Sequence, residues 1–191
     1  MEMQEIELRI KNDKDGVFAI SLVESPAIEE DFVALSSHEV ELKVIDEERR
    51  ILVGFALVPD KKILRIMNGK KFNIYFSKDT VAKSQELYMA QMNLQQWTLE
   101  HKQKTNGVAV IESWIVEDPK NDKSNLYNLE PKGGEWVIMT KVYNDQVWQE
   151  VKNGKYKGFS IEGMYDGFEQ LQAKTQEELI IEQLQSAINA K

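Results

Sequence analysis

The chain contains no cysteine. Disulfides and thiolate metal sites are thereby excluded, and a compartment that keeps thiols reduced fits. Long hydrophobic runs are missing as well. No apolar stretch approaches the roughly 20 residues that a membrane span requires. The opening MEMQEIELRI lacks an apolar segment of secretory length. Positive charge is in short supply: 24 lysines and arginines stand against 32 aspartates and glutamates, a formal net charge of −8. A basic face for non-specific nucleic-acid binding is not expected. Glycine motifs that cradle phosphates and the HExxH zinc motif are absent too. The expectation is a soluble intracellular protein with no nucleic-acid or membrane partner, no cofactor and no resident metal.

What is present is a succession of strand patterns. EIELRI alternates apolar and charged residues through Ile6, Leu8 and Ile10, the pattern of a half-buried strand. VFAISLVESPAI starts as a strand and breaks at Pro26. EVELKVI alternates through Val40, Leu42 and Val44. RRILVGFALVPD is a continuous apolar run ended by Pro59, which reads as a more deeply buried strand. KILRIM and KKFNIYF flank the turn NGK and predict a hairpin. Ser77 is placed to cap a helix carrying Val81, Tyr88, Met89 and Met92 on one face. NLQQWTLEHKQ, GVAVIESWIVE and EWVIMTKVY read as further strands. Asn144 caps a short helix with Val147, Trp148 and Val151, stopped by Gly154. KGFSIEGMY is the last strand. A terminal helix from about Thr175 follows, with Thr175 and Glu178 as its capping box and Ile180, Ile181, Leu184 and Ile188 as its stripe. Seven or more strands with three helices predict a β-rich α+β fold, an antiparallel or mixed β-barrel with flanking helices. The expected organisation is one domain over residues 1–170 and an amphipathic helix over 171–191.

Candidate chemistry centres on one histidine and one serine. Of the two histidines, His38 lies in SSHEVEL at a loop boundary and reads as a solvated side chain. His101 precedes KTNGV, whose Asn-Gly pair is a strong signal for a tight hairpin. With Asn106 and Gly107 as the turn, Trp97 and Leu99 meet Val116 and Trp114, so the apolar faces match and His101 falls opposite Glu112. A carboxylate beside a histidine fixes its tautomer and stabilises the imidazolium, as a general base requires. A plain cross-strand ion pair is the alternative. Ser160 sits in the last strand with Glu162 on the same face, and Phe159 and Ile161 on the other. Gly158 and Gly163 would allow close backbone approach there. A serine needs a base before it can act as a nucleophile. Spacing alone leaves a solvated strand serine open. Glu117, Asp118 and Asp122 read as a solvated acidic loop rather than as ligands of a hard cation. Trp114, Trp136 and Trp148 read as core or interface residues.

The runs GVAVIESWIVEDPKNDKS and GGEWVIMTKVYNDQVWQEVKNGKYKGFSIEG, with ISLVESPAI and VGFALVPDKKILR upstream, resemble the XkdF-type phage serine proteases. These belong to the wider group of phage prohead (head maturation) proteases. The resemblance spans roughly residues 17 to 165. It implies an assemblin-like barrel of about seven strands and a serine endopeptidase that acts with a histidine base. It also implies cleavage of the internal scaffold, of the capsid protein and of the enzyme itself. By the same resemblance the partners are phage scaffold and major capsid proteins, in a homo-oligomer inside the procapsid. The procapsid itself assembles in the host cytoplasm. His101 in LEHK and Ser160 in GFSIEG fall on the family's histidine and serine. Assemblins place a second histidine after the serine, and this chain has none there. The third position therefore goes to Glu112 by the hairpin register, with Glu162 or an unassisted dyad as alternatives. A protease-like structural component of the head, without activity, is the competing expectation.

Overall fold

A computed structural model of the protein describes residues 3–24, 42–67 and 70–167. His38 and the expected helix over 171–191 lie outside the described residues. The described elements are β1 (Glu5–Leu8), β2 (Gly16–Val23), β3 (Lys43–Asp46), β4 (Ile51–Leu57), β5 (Ile63–Met67) and β6 (Lys70–Phe76). After α1 (Lys78–Ala90) come β7 (Trp97–Leu99), β8 (Gln103–Thr105), β9 (Val108–Ile115) and β10 (Trp136–Val142). The chain continues through α2 (Asp145–Lys152) to β11 (Gly158–Met164).

The fold is β-rich with flanking helices, as expected. Its 11 strands form three sheets among the described residues, ordered β1-β6-β5, β3-β4-β10-β9 and β11-β2-β7-β8. These pairings close no barrel. Ten strand patterns become eleven strands because NLQQWTLEHKQ turns after Leu99 and divides into β7 and β8.

Several elements follow directly from local sequence. The β5–β6 hairpin forms with Ile63 opposite Ile74 and Met67 opposite Lys70. β4 packs on both faces, with Leu52 and Ala56 in one core cluster and Ile51 and Val53 in the other, so a continuous apolar run is stable there. Ser77 caps α1 by accepting from Thr80 N–H, and Asn144 Oδ1 caps α2 by accepting from Val147 N–H at 3.0 Å. These are hydrogen bonds to first-turn donors that the helix itself leaves unpaired. The expected apolar face of α1 holds for Val81 and Tyr88. It fails for Met89 and Met92, which are 38% and 80% exposed. The helix ends at Ala90, and Ser84 and Leu87 complete the buried face instead.

The core divides across the β4–β10 sheet. On one side Leu52, Trp136 and Ile138 join Ile20, Leu22, Trp97 and Phe159. Trp97 and Phe159 meet edge to face at 5.8 Å, as do Tyr88 and Trp136 at 5.2 Å. On the other side Ile51, Val53, Val137 and Met139 pack under Val116 and Leu129. Thus Trp136 and Trp148 are core residues, as expected. Trp114 is half-buried, donates from Nε1 to Asp122, and carries Lys123 over its ring.

Candidate active site

The hairpin expected at Asn106-Gly107 does not form. Trp97 pairs with Thr105 and Leu99 with Gln103, so the chain reverses at Glu100 and His101. Both residues have positive φ, 52° and 55°, and Lys102 N–H donates to Leu99 C=O at 3.0 Å. This is the mirror-image turn that suits a twisted hairpin. Asn106-Gly107 instead carries the chain from the third sheet to the second. There Gly107 C=O accepts from Tyr143 and Asn144 N–H.

Left-handed backbone at non-glycine residues costs of order 1–3 kcal/mol each and persists only when its surroundings impose it. Here the surroundings are explicit. Glu100 N–H donates to Leu22 C=O at 3.0 Å. His101 N–H donates to Ser21 Oγ at 3.1 Å. Glu100 also accepts from Glu24 N–H at 2.6 Å. Ser21 is fully buried, and its hydroxyl lies 3.3 Å from Thr98 C=O, to which it can donate. The turn is thereby clamped to β2.

That clamp moves the histidine away from its expected partner. Glu112 lies on β9 opposite Met139, and its carboxylate pairs with Lys123. The carboxylate beside His101 is Glu162. His101 Nδ1 and Glu162 Oε1 are 3.2 Å apart, with side chains only 14% and 21% exposed. Thr98 Oγ1 donates to the same carboxylate oxygen. The register assigned to Glu112 is therefore corrected: the sheet pairing of β9 takes Glu112 to Met139 and Lys123, and Glu162 is the carboxylate beside the His101 ring.

Ser160 and Glu162 stand on one face of β11, two residues apart with no bulge between them. Ser160 pairs with Ser21 across β2, and Ser21 pairs with Thr98 on β7. The order Ser160, Ser21, Thr98 thus runs across three adjacent strands, with the His101 turn held at Ser21. Ser160, His101 and Glu162 all line a cavity of about 410 Å³. No hydrogen bond joins Ser160 to His101 among the described residues. Tyr165, also on the cavity wall, is held 3.0 Å from the Ser84 hydroxyl, and burial pushes its phenol up. Gly163 is needed within the fold. A Cβ there would come within 2.8 Å of Gly16 C=O and of the Tyr165 ring.

Pattern reading passed over Thr98 and Ser21. Each alternates with apolar core neighbours in WTL and ISL, and that alternation was the available signal. The acidic loop also has structural work. Asp122 accepts from Ser124 N–H and Trp114 Nε1, and Asp118 accepts from Lys120 N–H and Asn121. Among the described residues no group of three or more acidic, histidine or cysteine side chains is placed to hold a metal. Nor is any helix there long and apolar enough to cross a membrane.

Residues 39–169, more than half of the chain, match a family model described as "Putative phage serine protease XkdF". No curated protein and no solved structure matches the chain.

Proposed function

We propose, from the premise that this chain belongs to the XkdF family of phage serine proteases, that it is a serine endopeptidase. Ser160 is its nucleophile, His101 its general base, and Glu162 the carboxylate that orients His101. The observation that carries this reading is the Nδ1–Glu162 contact at 3.2 Å on the wall of the cavity that Ser160 also lines.

The chemistry follows from the side of the ring that is engaged. Glu162 accepts from Nδ1–H, so the ring proton stays on Nδ1 and the Nε2 lone pair is available. As Ser160 Oγ bonds to the scissile carbonyl carbon, its proton passes to Nε2. His101 then protonates the leaving amine, the peptide C–N bond breaks, and an acyl-serine remains. Water attacks that ester while His101 takes its proton, and Ser160 is released with the new carboxylate product. Positioned proton transfer of this kind supplies about 10²–10⁴-fold. In an empty site such contacts are commonly long, and the Ser160–His101 bond closes when substrate is bound.

The substrates in this reading are the phage's internal scaffold, its capsid protein and the enzyme itself. The place of action is the procapsid interior, with the chain present as a homo-oligomer. Co-expression with scaffold tests it. The wild type shortens the scaffold, and Ser160→Ala leaves it intact and arrests procapsids. Normal head assembly with Ser160→Ala would instead identify a structural component of protease-like fold.

A further inference from the structure

The cavity beside Ser160 is bordered by five consecutive β11 residues, Phe159 to Gly163. Successive strand residues face opposite ways, so a space bordered by five in a row follows the strand's edge rather than one face. β11 is the outermost strand of its sheet and pairs only with β2 among the described residues. An edge of this kind presents unpaired N–H and C=O groups. Extended peptides add to such edges, and their alternate side chains enter pockets alongside.

The wall facing that edge is apolar. Ala56, Leu57, Ile63, Ile74 and Phe76 form it, and most of these are anchored in the main core. Phe18 borders the same space and is 48% exposed. Lys61 and Arg65 also reach the cavity, but both already have interaction partners within the fold. The apolar wall, rather than their charge, then sets the preference.

We propose that this cavity is the specificity pocket for a large aliphatic or aromatic side chain, carried by a peptide laid in extended form along the outer edge of β11, which has no strand partner among the described residues. The proposal rests on the protease reading and adds the substrate class to it. Its volume of about 410 Å³ lies within the range of formed ligand pockets. Burying a leucine or phenylalanine side chain corresponds to about a 10- to 100-fold gain in affinity over alanine.

The test uses the full chain with Ser160→Ala, which binds without turnover. Fluorescent peptide libraries, each fixed at one position as Leu, Phe, Ala, Asp or Lys, are titrated by anisotropy. At one position Leu and Phe are expected to bind about 10- to 100-fold tighter than Ala or Asp. Adding Ala56→Trp should remove that preference. Phe18→Ser, at an exposed position, should weaken it. Tightest binding by Asp, no preference at any position, or a preference unchanged by both variants would overturn the pocket assignment. Labelling of wild-type Ser160 by a fluorophosphonate separates the two levels. A labelled serine with no apolar preference removes this inference and keeps the protease. Apolar peptides that bind an unlabelled serine keep the pocket and remove the protease.

Discussion

Replacing Glu162 by glutamine tests the orientation of His101 with little change in shape. At 3.2 Å and an effective dielectric of about 20, a carboxylate and an imidazolium attract by about 5 kcal/mol. Partial exposure of the pair, 14% and 21%, and the spread of charge over both groups reduce this to roughly 3–5 kcal/mol. In the proposed mechanism that energy is available only once His101 carries the proton from Ser160, so it acts on the transition state. With about 1.36 kcal/mol per tenfold, Glu162→Gln should lower kcat by about 10²–10⁴-fold. The upper end agrees with the loss of about 10⁴ seen when the orienting carboxylate of a well-studied triad is spoiled. The amide adds a second defect, because its NH₂ turned toward Nδ1 would favour the wrong tautomer. The assay is single-turnover cleavage of scaffold at saturating enzyme, with circular dichroism to confirm folding. Glu112→Gln is the internal control, since that side chain lies on a different sheet from Glu162 and engages Lys123. Its rate should stay within about threefold of wild type, the range of a surface substitution. A Glu162→Gln enzyme that cuts at the wild-type rate, or a Glu112→Gln enzyme that does not cut, would refute the reasoning.

In the proposed mechanism Thr98 acts through Glu162 as a positioning residue. Thr98→Val should cut kcat by about 10- to 100-fold, a lost hydrogen bond to a charged group, with KM unchanged and the acid limb of the pH profile displaced, while Thr98→Ser restores both. Glu135 is buried and accepts from Lys132 and Gly133 N–H at 2.6 and 2.7 Å. Glu135→Ala should cost roughly 2–4 kcal/mol by stranding those donors, read as a lower denaturant midpoint. Gly163→Ala should lower both activity and stability, because its Cβ would press on Gly16 C=O beside the β11 bulge, and urea titration with a cleavage assay reads both. Burial pushes the Asp122 carboxyl up, but hydrogen bonds from Ser124 and Trp114 outweigh it and hold the group below its usual value. Its stabilisation is therefore present above the ordinary value of 3.8 and is lost as pH falls. The gap in melting temperature between wild type and Asp122→Ala should shrink as pH drops below about 4, and a gap that widens there would contradict the sign.

Local signals carried much of the framework. The continuous run of β4, the β5–β6 hairpin and the caps at Ser77 and Asn144 were legible because each depends on neighbours in sequence. The His101 turn was not. Asn106-Gly107 advertises a tight turn, whereas Glu100-His101 carries neither glycine nor asparagine. What imposes the turn is distant in sequence: Ser21 Oγ and Leu22 C=O, brought in by the parallel pairing of β2 with β7. The same pairing decides the carboxylate. Once β7 runs beside β2 and β2 beside β11, Glu162 comes within reach of the His101 ring. β9 meanwhile leaves for the other sheet and takes Glu112 with it. Serine and histidine could be singled out from their strings and from the family resemblance. Their supports, Thr98 and Ser21, are visible only when three strands are assembled.

The central claim is that His101 activates Ser160. The direct measurement is mass-spectrometric mapping of a fluorophosphonate adduct on the wild-type chain and on His101→Ala. A single adduct on Ser160, lost or slowed at least about a hundredfold in His101→Ala, is the predicted result. An adduct on a different residue, or equal labelling of Ser160 in both proteins, would contradict the account.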